Sequence, residues 1–316
     1  MQSATQEHCD VMGEAVAEFL RPRQQALHTF DWKITPAAIK AAVALRLLPE
    51  KPEGDVFSMT ARLRAAVAER VRSFGPSDPK REDRLHELAR FVVSDWGGLR
   101  RNSPKTLHGY VQRYTAHVDD FDAVTSARAL HARVSAAHQS PVFPLEGIAS
   151  WSKWLNFVWP EWALIYDARI AFALNAILLM RDIDAPAFPV PVGRNATLGH
   201  FSAQTSACLA WHARRGSRPP KSKAIATWME SAMVKDVDTY EYYLAVMNAA
   251  HRRLWRDEQT PLVHTEMLLF SRSVLEVVED YVAFELTRHA QAHSMSFLGS
   301  EARAPRAAAP SSKLLA

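Results

Sequence analysis

Glycine is scarce. The chain carries 11 glycines in 316 residues, about half the share usual in globular proteins. No Gly-x-Gly-x-x-Gly stretch and no Gly-x-x-x-x-Gly-Lys-Ser/Thr stretch occurs. Enzymes that hold a dinucleotide or a triphosphate on backbone amides need glycines where the chain meets phosphate, so those classes are excluded. Cysteine is scarcer still. Cys9 and Cys208 cannot build a disulfide framework or a cysteine-rich zinc site, which makes the cytoplasm the expected compartment. His289 and His293 stand four apart but lack a HExxH glutamate and a third ligand, so no metal is expected. Long apolar runs are also missing. The longest, Ile170 to Met180, includes Asn175 and falls far short of the ~20 residues that span a bilayer. The opening MQSATQEHCDVMGE lacks the basic-then-apolar order of a leader, so no membrane partner is expected. Strand-like alternation, internal repeats and a Gly-x-Ser-x-Gly elbow are absent too.

What is present is helix-forming. Alanine, leucine and arginine dominate, with apolar residues recurring at three and four. The pattern predicts helices near 10–28, 36–48, 58–74, 80–95, 105–116, 122–138, 147–159 and 168–181. Four more follow near 198–214, 221–233, 237–256 and 263–290. In the last, Met267, Phe270, Val274, Val277, Val278 and Tyr281 form one stripe. The expected fold class is therefore all-α, one helical unit over 1–298. The proline-rich stretch 185–193 either divides it into two lobes or is a surface loop. From Gly299 to Ala316 the composition turns to Ala, Pro, Ser and Arg, and a disordered tail is expected. Lysine and arginine number 38 against 34 acidic residues, a net charge of +4. That permits a nucleic-acid partner without requiring one.

The informative stretch is 147–181, Gly-IASWSKWLNFVWPEWALIYDARIAFALNAILLM-Arg. Four of the nine tryptophans lie between 151 and 162. Lys153 and Asp167 sit in this apolar setting, roughly 21 Å apart if one helix ran through both. Pro160 breaks that helix, and Asp167 is placed to cap the next one. A hairpin between the two helices brings Lys153 back towards Asp167. A desolvated lysine loses its preference for the ammonium form, and its free amine can form a Schiff base with a sugar carbon. A carboxylate beside it can stabilise an oxocarbenium ion. The alternatives are a lysine that snorkels to water and a plain capping aspartate. The tryptophans read first as core.

The order Gly147…Lys153…Ile165-Tyr166-Asp167…Ile170 resembles the helix-hairpin-helix DNA glycosylases, in particular the lysine-bearing 8-oxoguanine DNA glycosylase group. A second stretch, Ser94-Asp-Trp-Gly-Gly-Leu-Arg-Arg-Asn102, is similar to one in bacterial relatives of that fold. The resemblance implies a helical glycosylase-like fold of two lobes around the hairpin. It implies Lys153 as Schiff-base nucleophile, Asp167 as catalytic carboxylate, and DNA carrying a flipped damaged or modified base as partner. The activity implied is N-glycosidic cleavage, with or without strand nicking, in base-excision DNA repair or antiviral defence against phage DNA. The hairpin Glu146-Gly147-Ile148-Ala149 has one glycine where the family carries Gly-x-Gly.

DNA-backbone contacts are expected of Gly147 and of two basic segments. One is Arg100, Arg101, Asn102 and Lys105, next to a helix start. The other begins at Arg214-Arg215 and holds five cations in ten residues, which reads equally as a solvated basic loop. The rival to an enzyme is a non-catalytic helical DNA-binding or adaptor protein.

Overall fold

Helix starts follow the capping chemistry of the sequence. Thr35 accepts from the Ala38 amide, Asp55 from Ser58 and Ser103 from Thr106. Ser126 accepts from Ala129, and Asp167 from Arg169 and Ile170. Each cap pairs an amide that the first turn leaves open, typically for ~1 kcal/mol. The computed structural model describes residues 6–29, 32, 34–99, 102–135, 141–191, 201–257, 259–273 and 275–301. Its helices are α1 (Gln6–Leu20), α2 (Pro36–Ala44), α3 (Val56–Arg72), α4 (Arg81–Arg90), α5 (Pro104–Tyr114), α6 (Ala127–Ser135) and α7 (Ile148–Val158). They continue with α8 (Ala168–Met180), α9 (Ala203–Arg214), α10 (Ile225–Glu230), α11 (Thr239–Leu254), α12 (Leu262–Ser273) and α13 (Glu276–Glu301). Among the described residues no sheet forms. A single parallel bridge pairs Ala187 with Met233.

Helix α8 is central. Every residue from Ile170 to Leu179 is buried, and α1, α9, α12 and α13 pack on it. Helix α1 also lies along α11, closely enough that a Cβ on Gly13 would stand 2.5 Å from the Ala249 Cβ. The buried apolar residues form one cluster from Cys9 to Tyr281. The proline-rich stretch is held to this core where it is described. Asn175 donates to the Phe188 carbonyl and accepts from its amide, both at 2.8 Å, and Ala185, Ala187 and Phe188 are buried. Residues 192–200 lie outside the described residues. No helix among the described residues is long and apolar enough to cross a membrane.

Several helix bounds differ from the sequence pattern. Pro22 cannot donate to the preceding turn, so α1 stops at Leu20 and Arg21–Thr29 winds as a 3₁₀ helix. Asp120 accepts from the Asp122 and Ala123 amides in an Asx turn, so the helix expected from 122 starts only at Ala127. The expected 221–233 helix is a short 3₁₀ turn leading into α10. The long helix expected at 263–290 is two, α12 and α13. At the break, the Ser271 and Ser273 hydroxyls donate to the Leu268 and Phe270 carbonyls, competing with the helix ladder. Helix α13 reaches Glu301, beyond the point where the composition turns, and residues 302–316 lie outside the described residues.

Candidate active site

After a turn at 160–162, the chain from Ala163 to Tyr166 is buried and extended, yet it has no strand partner. Its polar backbone groups are bound by side chains instead. Asn156 donates to the Ala163 carbonyl at 2.6 Å. Tyr240 donates to Leu164 at 2.9 Å, and Tyr243 to Ile165 at 2.8 Å. The Ser152 hydroxyl accepts from the Tyr166 amide at 3.1 Å. These bonds deliver Asp167 to its cap position, where Oδ1 accepts from Arg169 at 2.9 Å and from Ile170 at 3.2 Å.

Lys153, in the middle of α7, has no solvent to reach: it is 3% exposed. Its amine donates to the Ala149 carbonyl at 2.9 Å. Burial draws the amine below the usual lysine range, while the Asp167 and Glu266 charges oppose the shift and Arg169 reinforces it. Asp167 therefore acts on Lys153 through space, not through a direct ion pair. The lysine does not snorkel.

The glycine-pair stretch packs onto the same lysine. After α4 the chain widens into a π turn, Phe91–Trp96, with Gly97 donating to Val92 at 2.9 Å and Leu99 to Val93 at 3.1 Å. Such turns frequently accompany functional sites. A Cβ on Gly97 would stand 2.7 Å from the Val93 oxygen, 2.8 Å from the Val92 oxygen and 2.9 Å from the Lys153 Cδ. Gly97 thus serves close approach, while Gly98, at φ +69°, serves the turn. Asn102 ties the stretch to α7, donating to Ser150 Oγ at 3.0 Å and to the Leu99 carbonyl at 3.1 Å.

Lys153 faces a small void of about 10 Å³, lined also by Trp32, Arg64, Trp96, Ile165, Glu266 and Phe270. That is room for about one water. Glu266 on α12 is 1% exposed and accepts from Arg64 Nη2 at 3.0 Å. Burial raises its carboxyl to about 7 against the lowering effect of Arg64. Arg64 Nε and Nη1, Trp32 Nε1 and Trp96 Nε1 are buried without a protein partner. Trp32 packs at a tilt against Trp96 and Phe270, at 5.0 and 5.3 Å between centroids. Arg169 lies 4.8 Å over the Phe270 ring.

Sequence reading found Lys153 and Asp167 but not Arg64, Glu266 or Trp32. The only local signal for Glu266 is a lone acid inside Leu262-VHTEMLL-Phe270. The four tryptophans at 151–162 are core, and three of their indoles donate to the Pro144, Phe121 and Val124 carbonyls. The remaining expected contacts are dispersed. Gly147 starts α7 at φ +71° beneath the Tyr110 hydroxyl. Lys105 is exposed on the first turn of α5. Arg100 and Arg101 lie outside the described residues. Arg214 is bound by Asp182 and by the Ile183 carbonyl. Arg215 pairs with Asp184 at 2.6 Å and lies 3.9 Å over Trp211. Among the described residues no three His, Cys, Asp or Glu side chains converge as a metal site. No protein-family model, curated protein or solved structure matches the chain.

Proposed function

We propose that this protein is a DNA glycosylase that cleaves the N-glycosidic bond of a damaged or modified base, with Lys153 as nucleophile and Asp167 as its charge partner. The observation that carries this reading is a lysine 3% exposed, with its amine drawn down by burial and coupled to the carboxylate that caps the next helix. A buried amine without an ion pair is costly to keep, and such groups cluster at catalytic sites. In the reaction the neutral Lys153 amine attacks C1′, the C1′–N bond breaks, and the base departs with its electron pair. Asp167, oriented by the two backbone amides that donate to it, offsets positive charge developing on the sugar. Opening of the sugar ring then yields an imine, from which β-elimination nicks the strand. The void holds about one water, so a flipped nucleotide reaches Lys153 only when lining side chains move apart.

Borohydride trapping tests the reading. Oligonucleotides carrying an abasic site, 8-oxoguanine or phage-type modified cytosines are incubated with the protein and with Lys153→Ala, reduced, and resolved. A covalent adduct that disappears in Lys153→Ala is expected. Absence of both adduct and base release on every oligonucleotide, with salt-sensitive DNA binding intact, would establish the non-catalytic DNA-binding alternative.

A further inference from the structure

We propose that Glu266 carries the proton released by Lys153 to the departing base, an assignment that rests on the glycosylase reading above. The two carboxylates near Lys153 are held differently. Asp167 Oδ1 accepts from two main-chain amides at the start of α8, which orients the side chain for charge stabilisation. Glu266 comes from α12, lines the same void as Lys153, and accepts from Arg64 through Oε2. Arg64 holds the carboxylate in place and lines the same void.

The surroundings suit a group that exchanges a proton. Burial raises Glu266 to about 7, near the working pH of a general acid–base. The charged and titratable groups coupled to it come from four helices: Arg64 on α3, Lys153 on α7, Asp167 at the start of α8, and Tyr240 and Tyr243 on α11. The two carboxylates thus divide the work: Glu266 exchanges the proton, and Asp167, held by backbone amides, supplies charge.

The proton balance closes within the site. An N–H proton of the Lys153 ammonium passes to the Glu266 carboxylate through one water, which the shared void has room to hold. The freed lone pair forms the Nζ–C1′ bond, the C1′–N bond breaks, and its electrons leave with the base. The Glu266 O–H proton then goes to the base nitrogen, and Glu266 returns to carboxylate. The net result is transfer of one proton from ammonium to base, with no outside reactant.

The test combines NMR titration with single-turnover kinetics on Glu266→Gln and Glu266→Asp, each checked for native near-UV circular dichroism. Lysine labelled with ¹³C at Cε reports the Lys153 amine, assigned by its loss in Lys153→Arg. Loss of the Glu266 anion in Glu266→Gln is expected to lower the Lys153 midpoint, and Glu266→Asp to keep it near wild type. Base release by Glu266→Gln is expected to fall ~100-fold or more and to lose the Glu266 limb of its pH profile. Trapping on a preformed abasic site, which has no base to protonate, is expected to fall less than ~10-fold by the same reasoning. An unmoved Lys153 midpoint, or base release within ~3-fold of wild type, overturns the assignment while Lys153-dependent trapping keeps the glycosylase reading. If the wild-type protein gives neither adduct nor base release, the glycosylase reading and this assignment fall together.

Discussion

The Lys153 side chain passes directly under Gly97, with its Cδ 2.9 Å from the place a Cβ would take. Two stretches far apart in the chain thereby meet at one methylene. The π turn before Gly97 directs Trp96 into the same void, so this contact sets both the path of the lysine and one wall of its surroundings.

Gly97→Ala is expected to destabilise the protein by ~1–3 kcal/mol, the usual range for overpacking. The new methyl would stand within 2.8 Å of two backbone oxygens and 2.9 Å from the Lys153 Cδ, and the oxygens cannot turn aside. Urea unfolding reads the stability loss. Trapping should slow beyond what the loss of folded protein explains, because Lys153 is displaced with the methyl. Wild-type stability would remove the packing argument.

Asp167 has two roles that two substitutions separate. Asp167→Ala removes the cap and should cost ~1 kcal/mol, whereas Asp167→Asn keeps an accepting oxygen and should cost a few tenths at most. Both remove the negative charge that offsets positive charge developing on the sugar. Base release should therefore fall in both variants, and stability mainly in Asp167→Ala. If Asp167→Asn releases base at the wild-type rate, the carboxylate is only a cap.

Lys153→Met should raise stability at neutral pH by ~1 kcal/mol while abolishing trapping, the trade expected where a site keeps an unfavourable buried group. The pH dependence gives a sign. A lysine lowered in the folded state binds fewer protons there than in the unfolded chain, between its folded value and the ordinary 10.5. Its penalty is fully present at low pH and fades as pH rises through that window. The stability of wild type minus Lys153→Met should therefore rise with pH. A flat difference would mean that the amine is solvated.

Two groups near the site should bend the stability profile in opposite directions. Glu266 rises to about 7 from 4.5 on burial, so the folded state holds the extra proton and stability from this group is lost as pH rises through that window. His264 falls to about 4 from 6.5 through burial and the Arg64 charge, so its penalty appears as pH drops through its window. Wild type minus Glu266→Gln should fall from pH 4.5 to about 7, and wild type minus His264→Gln should rise from about pH 4 to 6.5. Denaturant midpoints taken at closely spaced pH values read both slopes, and equal signs would contradict the burial assigned to one of them.

The sequence by itself determined the helices and the hairpin that carries Lys153 and Asp167. Local chemistry suffices for these. Pro160 ends α7, Asp167 binds the first amides of α8, and the 3.6-residue apolar period marks what must be buried. It misread α12 and α13 as one helix, because the Ser271 and Ser273 back-bonds that compete with the ladder leave the apolar stripe unbroken. Only the tertiary structure decided what surrounds the lysine. Arg64, Trp96 and Glu266 come from three other elements, and their approach to Lys153 depends on helix packing that no local spacing encodes. The same holds for the basic residues. Arg214 and Arg215 read alike as free cations in the sequence, yet Asp182 and Asp184 occupy them in the fold. A charge has a function only relative to its neighbours, and non-local packing chooses those neighbours.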